Sequence, residues 1–127
     1  MILLTIVHEN SQKPWFRRFA RDQKITDHAL RDAVRRAESG QIDANLGGGV
    51  VKQRVARPGH GKSKGYRTVI LYRTGEMAIF VYGFSKSQRK NIREDEKEQF
   101  KKMASHVLEL SGEQLNELIT TGKFEEI

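Results

Sequence analysis

Apolar residues recur at different spacings along the chain, and the spacing predicts the elements. The first segment, Met1 to Glu9, is rich in Ile, Leu, Val and Thr, so we expect a strand with apolar neighbours on both faces. Lys13 to Gln23 has a proline in its first turn and aromatic residues at helical spacing, which predicts a helix. A second helix is predicted to begin at Thr26 or Asp27, either of which can cap it, and to end at Gly40.

The middle of the chain changes to strand patterns. Gln41 to Gly49 is interpreted as a connector that ends in three glycines. In the strand that follows, Val51 and Val55 lie on one side. Lys52 and Arg54 alternate with them, so both basic side chains are expected to point to the other side.

A loop and a hairpin are predicted next. Pro58 to Gly65 is rich in glycine and basic residues, which indicates a loop. Tyr66 to Arg73 and Met77 to Phe84 are two runs with strand composition, separated by a short turn at Thr74 and Gly75.

Helix patterns return at the C-terminal end. A long helix is predicted from about Lys90, and Ser111 can cap a last short helix that ends at Gly122. The whole order predicts one α+β domain over residues 1–127, with a core at about 1–110 and a C-terminal helical extension at 111–127. Helices on one side of a mainly antiparallel sheet would leave the other face open for the basic pair.

Composition narrows the function classes. The chain has 127 residues and no cysteine, which excludes disulfides and a thiolate nucleophile, and we expect a cytosolic protein. The N-terminal apolar run covers seven residues, which is far too short for a membrane span. It also lacks the basic flank and the small-residue cleavage site expected of a signal peptide.

Positive charge is concentrated in one segment. Residues 47–93 contain eleven Lys and Arg and a single acid, a net charge of +10, whereas the whole chain carries +7. Such clustering on strands and a loop favours a polyanionic partner, because lysine and arginine neutralise phosphates and release counterions. The acidic segment 94–127 is interpreted as helix surface, with modulation of access to the basic face as the alternative.

The sequence lacks the residue patterns that nucleotide-binding loops, metal sites and carboxylate catalysis require. Gly61-Lys62-Ser63 has Ala56 where a nucleotide-binding phosphate loop needs glycine, and the four histidines lack metal-ligand spacing. Paired carboxylates are also missing from the basic segment, so what remains is chemistry by cations and phenols on a phosphate. The candidate groups are Lys52, Arg54, His60, Lys62, Lys64 and Arg67, with Tyr66, Tyr72 and Tyr82 nearby.

The segments VKQRVARPGHGKSKGYRTVILYR and IFVYGFSKSQRKNI resemble the RelE superfamily of toxins from toxin-antitoxin systems, in its HigB-like branch. The resemblance covers most of residues 1–110 and implies a small α+β fold with N-terminal helices behind a twisted sheet. It also implies a ribosome-dependent endonuclease that cleaves mRNA without a metal or other cofactor. An antitoxin, expected to be of the helix-turn-helix type, would hold it inactive.

The resemblance also implies the site residues. Lys52 and Arg54 match the basic pair of the family, and Arg67 matches its arginine after Gly-Tyr. Ser87 and Arg93 stand where the family prototype has an arginine and a tyrosine, which makes Tyr82, Lys86 and Arg89 candidates to replace them. The predicted catalytic residues are Lys52, Arg54, Arg67 and Tyr82, and the predicted RNA-binding residues are Arg57, His60, Lys62, Lys64, Arg73, Lys86, Arg89 and Arg93.

Two other function classes stay open. ParE-like proteins share the fold and poison DNA gyrase, and the basic pair on the strand favours the ribonuclease over them. The third class is a basic RNA-binding module without catalysis.

Overall fold

The computed structural model describes residues 1–7, 16–57 and 61–127, with backbone alone at 61–64. Within them, the elements follow one another along the chain as β1 (Ile2–Ile6), α1 (Phe16–Asp22), α2 (Asp27–Glu38), β2 (Ala44–Gly47), β3 (Val50–Arg57), β4 (Gly61–Arg73), β5 (Met77–Ser85), α3 (Glu94–Val107), α4 (Gly112–Thr120) and β6 (Phe124–Glu126). This order confirms the predicted α+β class and the hairpin of β4 and β5.

The described strands form one six-stranded sheet in the order β2-β3-β4-β5-β1-β6. Strand β1 runs parallel to β5, and the other neighbouring strands pair antiparallel. The parallel pair requires a long connection between β1 and β5, and the chain uses that connection to build α1, α2 and three strands. The sheet is therefore mixed, but mainly antiparallel as predicted.

The sequence patterns located most elements, but some boundaries differ and two short strands were not predicted. The predicted connector at residues 41–49 contains edge strand β2, and β4 already begins at Gly61 inside the predicted loop. The long helix begins at Glu94 instead of Lys90. Strand β6 lies in the segment predicted as helical extension, where its three residues are too few to show a period. The predictions at residues 8–15 and 58–60 lie outside the described residues.

Helices cover both faces of the sheet. On one face, the α1 ring of Phe16 packs 5.2 Å from the Phe80 ring, and Gln53 Nε2 donates to the Ala33 carbonyl of α2 at 2.9 Å. On the other face, the Phe100 ring of α3 lies 6.0 Å from that of Tyr82. The expectation of helices on one side is therefore wrong, because α3 covers part of the face that was predicted to be open.

An extra residue in β5 changes which aromatic rings face the two layers. Val69 pairs with Tyr82 and Ile70 pairs with Phe80, so Val81 is a β-bulge. Because of the bulge, Phe80 faces α1 while Tyr82 faces α3. Without it, residues 80 and 82 would share one face.

We expect Gly83→Ala to destabilise the protein by about 1–3 kcal/mol, because it overpacks a filled site. A Cβ at Gly83 would lie 2.5 and 2.7 Å from two carbons of the Phe19 ring. The control is Gly112→Ala at the start of α4, where no heavy atom beyond the adjoining residues and the local helix backbone lies within 4 Å of the added carbon. Chemical denaturation would measure both, and equal free energies of unfolding would contradict the packing described for α1.

None of the described helices has the length and apolar character needed to cross a bilayer.

Candidate functional site

Three basic side chains share one face of the β3–β4 ladder. Arg54 and Arg67 are register partners across the two strands, and Lys52 pairs with Val69 one step further along. Residues directly opposite each other in an antiparallel pair project from the same face. Val51, Gln53 and Val55 are buried on the opposite face, which confirms the alternation predicted for β3.

These cations are not paired with any carboxylate in the described part of the chain. Among the residues that the structure describes, none of the ion pairs includes Lys52, Arg54 or Arg67. Asp43 also lies near the group, but its Oδ2 accepts from the Arg54 backbone N at 2.6 Å and thus binds the strand, not the guanidinium. Three like charges at neighbouring positions repel one another, so an anion bound between them would be stabilised.

The environment of Lys52 makes its charged form less stable than that of a free lysine. Partial burial lowers the pKa of its amine, and the positive charges of Arg67 and Arg54 lower it further, while Asp43 opposes them. A lysine with a lowered pKa can exchange a proton more readily near neutral pH than a free lysine.

Aromatic rings border the cations. The register places Lys52, Val69 and Tyr82 in one row across three strands, with Arg54, Arg67 and Phe84 in the next row. The rings of Tyr82 and Phe84 are 5.9 Å apart. Tyr82 is partly exposed and Phe84 is buried, so the phenol is the part of this pair that solvent or a ligand can reach.

Arg89, in the turn after β5, connects that turn to Tyr82 of β5 and Glu96 of α3. Its guanidinium lies 5.8 Å from the ring centre of Tyr82 and 5.7 Å from that of Phe84. It donates to the Tyr82 hydroxyl at 3.0 Å and to both carboxylate oxygens of Glu96, at 3.1 and 2.5 Å. The guanidinium is therefore engaged inside the protein, and its predicted contact with RNA stays a prediction.

Glu96 is the acid that the sequence pattern placed wrongly. The acidic segment 94–127 was interpreted as helix surface, but Glu96 in the first turn of α3 is only 3% exposed. Hydrogen bonds from Arg89 lower the pKa of its carboxyl, against the effect of burial. Its position at N3 of α3, where its Oε1 also accepts from the Arg93 backbone N at 2.8 Å, is the one signal that could have found it.

The other predicted RNA-binding residues are spread over several parts of the structure and do not all join Lys52, Arg54 and Arg67. Arg73 stands at the far end of β4 and pairs with Glu109 at 2.8 Å, so the structure does not bring it to Arg67. The Arg57 guanidinium lies 5.8 Å from the Tyr66 ring centre, on the side of α1. Lys86 and Arg93 are exposed near the turn. His60 and the side chains of Lys62 and Lys64 lie outside the description.

Within the described ranges, no three His, Cys, Asp or Glu side chains stand close enough together to hold a metal ion.

The structure is that of a small basic α+β protein with Lys52, Arg54 and Arg67 together on one face of its sheet. A family model described as RelE toxin of the RelE / RelB toxin-antitoxin system matches residues 11–127, and the chain belongs to this family. It is thus a toxin component of a toxin-antitoxin system and pairs with an antitoxin. Comparison with curated proteins found no match, and comparison with solved structures found none.

Proposed function

We propose that the protein is a ribosome-dependent endoribonuclease of the HigB-like branch that cleaves mRNA without a metal. The observation that carries the proposal is the group of Lys52, Arg54 and Arg67 on one face of β3 and β4, free of carboxylate partners among the described residues. RNA presents a phosphate at every nucleotide, and arginine binds phosphate oxygens with two parallel hydrogen bonds.

The reaction that suits this face is attack by a ribose 2′-oxygen on the adjacent phosphorus. The 2′-oxygen loses its proton and forms a bond to phosphorus, while the bond from phosphorus to the 5′-oxygen breaks and that oxygen gains a proton. The products are a 2′,3′-cyclic phosphate and a 5′-hydroxyl. Negative charge builds on the non-bridging oxygens, where Arg54 and Arg67 would stabilise it.

Proton transfer is assigned to Lys52 and Tyr82. Lys52 stands beside both arginines and has a lowered pKa, so it is suited to exchange a proton with the substrate. The Tyr82 hydroxyl accepts a hydrogen bond from Arg89, which leaves its own proton available for donation. Three strands joined in register put the two residues about 10 Å apart at their Cα atoms, a span suited to groups acting on opposite sides of one phosphate.

The test is cleavage of a defined mRNA on purified ribosomes, with the ends mapped by 5′-end sequencing. We expect new 5′-hydroxyl ends with ribosomes present and few without them, and the same yield from protein that was treated with chelator and desalted before the assay. Altered plasmid supercoiling without mRNA cleavage would instead support a gyrase poison. Salt-sensitive RNA binding without any cleavage would support a non-catalytic module and overturn the proposal.

The partner is proposed to be an antitoxin of the helix-turn-helix type. Co-expression with the neighbouring gene product should relieve growth arrest, and its sequence and DNA binding would show the type of antitoxin.

A further inference from the structure

A chain of hydrogen bonds leads from the buried carboxylate of Glu96 to the amine of Lys52. Glu96 binds the Arg89 guanidinium, and Arg89 Nε donates to the backbone carbonyl of Asn91 at 3.0 Å. The side-chain Oδ1 of Asn91 accepts from Lys52 Nζ, also at 3.0 Å. Helix α3, the turn after β5 and strand β3 meet through these four residues.

Asn91 is held at two points. Arg89 fixes its backbone carbonyl, and its Oδ1 also accepts from the Ile92 backbone N at 2.9 Å. Short side-chain bonds to the following backbone are typical of asparagine in turns and restrict its rotamer. Although Asn91 is exposed, its oxygen is therefore presented to Lys52 in one place.

We propose that Asn91 is a positioning residue for Lys52. The inference rests on the proposed function, in which the Lys52 amine exchanges a proton with the substrate. A lysine amine sits on a flexible four-carbon stem, and a fixed acceptor at 3.0 Å selects the conformers in which the amine lies beside the arginines. An amide oxygen does this without adding negative charge, so the phosphate-binding face stays cationic.

The contact between Asn91 and Lys52 can be tested through the Lys52 pKa, because the other groups around the amine are charged. Arg54 of β3 and Arg67 of β4 face it, and Asp43, before β2, acts on it from the edge. Asn91 is the neutral member of this set. An aspartate there would place a carboxylate beside the amine, and an alanine would remove the acceptor.

The test measures the Lys52 pKa by NMR titration of its side chain in the full-length protein. We expect Asn91→Asp to raise that pKa by about 0.5–1 pH unit relative to wild type, since an opposite charge stabilises the ammonium and partial exposure weakens the effect. Asn91→Ala is expected to lower the cleavage rate on ribosomes about 5–20-fold. The matched controls are Asn116→Asp and Asn116→Ala on the exposed side of α4, which should change neither quantity.

The two readouts separate the inference from the proposed function. An unchanged Lys52 pKa in folded Asn91→Asp would overturn the inference, whether or not the protein cleaves RNA. A shifted pKa in a protein that never cleaves mRNA would support the contact and overturn the proposed reaction. If wild type cleaves and Asn91→Ala cleaves equally fast, the positioning role is contradicted.

Discussion

Arg67→Ala is expected to lower the rate of ribosome-dependent mRNA cleavage by about 100–1000-fold, because in the proposed reaction Arg67 stabilises the charge that builds on the phosphate. Arg67 pairs with Arg54 across the ladder and donates to the Gly65 carbonyl at 3.2 Å, so its side chain makes few contacts that the fold depends on. Cleavage of a defined mRNA under single-turnover conditions would measure the rate, and circular dichroism would verify the fold.

The control for this variant is Arg31→Ala. Arg31 is an exposed arginine of α2, on the opposite side of the sheet, so the change removes the same charge from the protein without touching the cationic face. We expect its cleavage rate to remain within about 3-fold of wild type. Equal losses in the two variants would show that overall charge, and not the position of Arg67, sets the rate, and would contradict the assigned site.

Glu96→Ala is expected to destabilise the protein by about 2–4 kcal/mol, because it leaves the Arg89 guanidinium without its partner between β5 and α3. The Glu96 side chain is 4% exposed and that of Arg89 is 24% exposed, so water replaces the lost contacts only in part. The variant also loses the capping bond to the Arg93 backbone N. Urea denaturation would give the free energy of unfolding.

The matched control is Glu98→Ala on the same helix. Glu98 is 61% exposed in its side chain and lies 3.6 Å from Lys101. Surface pairs of this kind contribute little, so we expect a change within about 0.5 kcal/mol. If Glu96→Ala were as mild as Glu98→Ala, the buried pair would not anchor the turn.

The pair of Glu96 and Arg89 also predicts how the stability of the protein depends on pH. The pKa of Glu96 lies below its ordinary value of 4.5 in the folded protein, mainly through Arg89, so its ionised form stabilises the fold. That stabilisation is complete above the unfolded pKa and is lost as the pH falls through the folded pKa. We expect the wild-type melting temperature to fall more steeply than that of Glu96→Gln below about pH 5, measured by scanning calorimetry. Parallel curves would contradict this contribution.

Much of the fold was predictable because its signals are local. Alternating valines and basic residues placed β3, turn residues placed the β4–β5 hairpin, and Thr26 and Ser111 cap the helices they were expected to cap. The short edge strands β2 and β6 were missed, since they contain four and three residues and depend on pairing with longer neighbours.

The candidate site was predictable in part. Alternation put Lys52 and Arg54 on one face, but only strand register could place Arg67 opposite Arg54, or show that Arg73 lies at the other end of the same strand. Arg89 illustrates the limit of a charge count. The count placed Arg89 among the basic residues but could not show its pairing with Glu96, seven positions further along the chain.

The sequence by itself determined the α+β class, the sorting of charge into residues 47–93 and the same-face basic pair, because composition and periodicity act over a few residues. Tertiary structure decided the rest. The bulge at Val81 sets the face of Tyr82, α3 covers part of the cationic face, and Asn91 reaches Lys52 from 39 positions away. These features depend on strand register and helix docking, which are decided by contacts between distant segments and leave no period in the sequence.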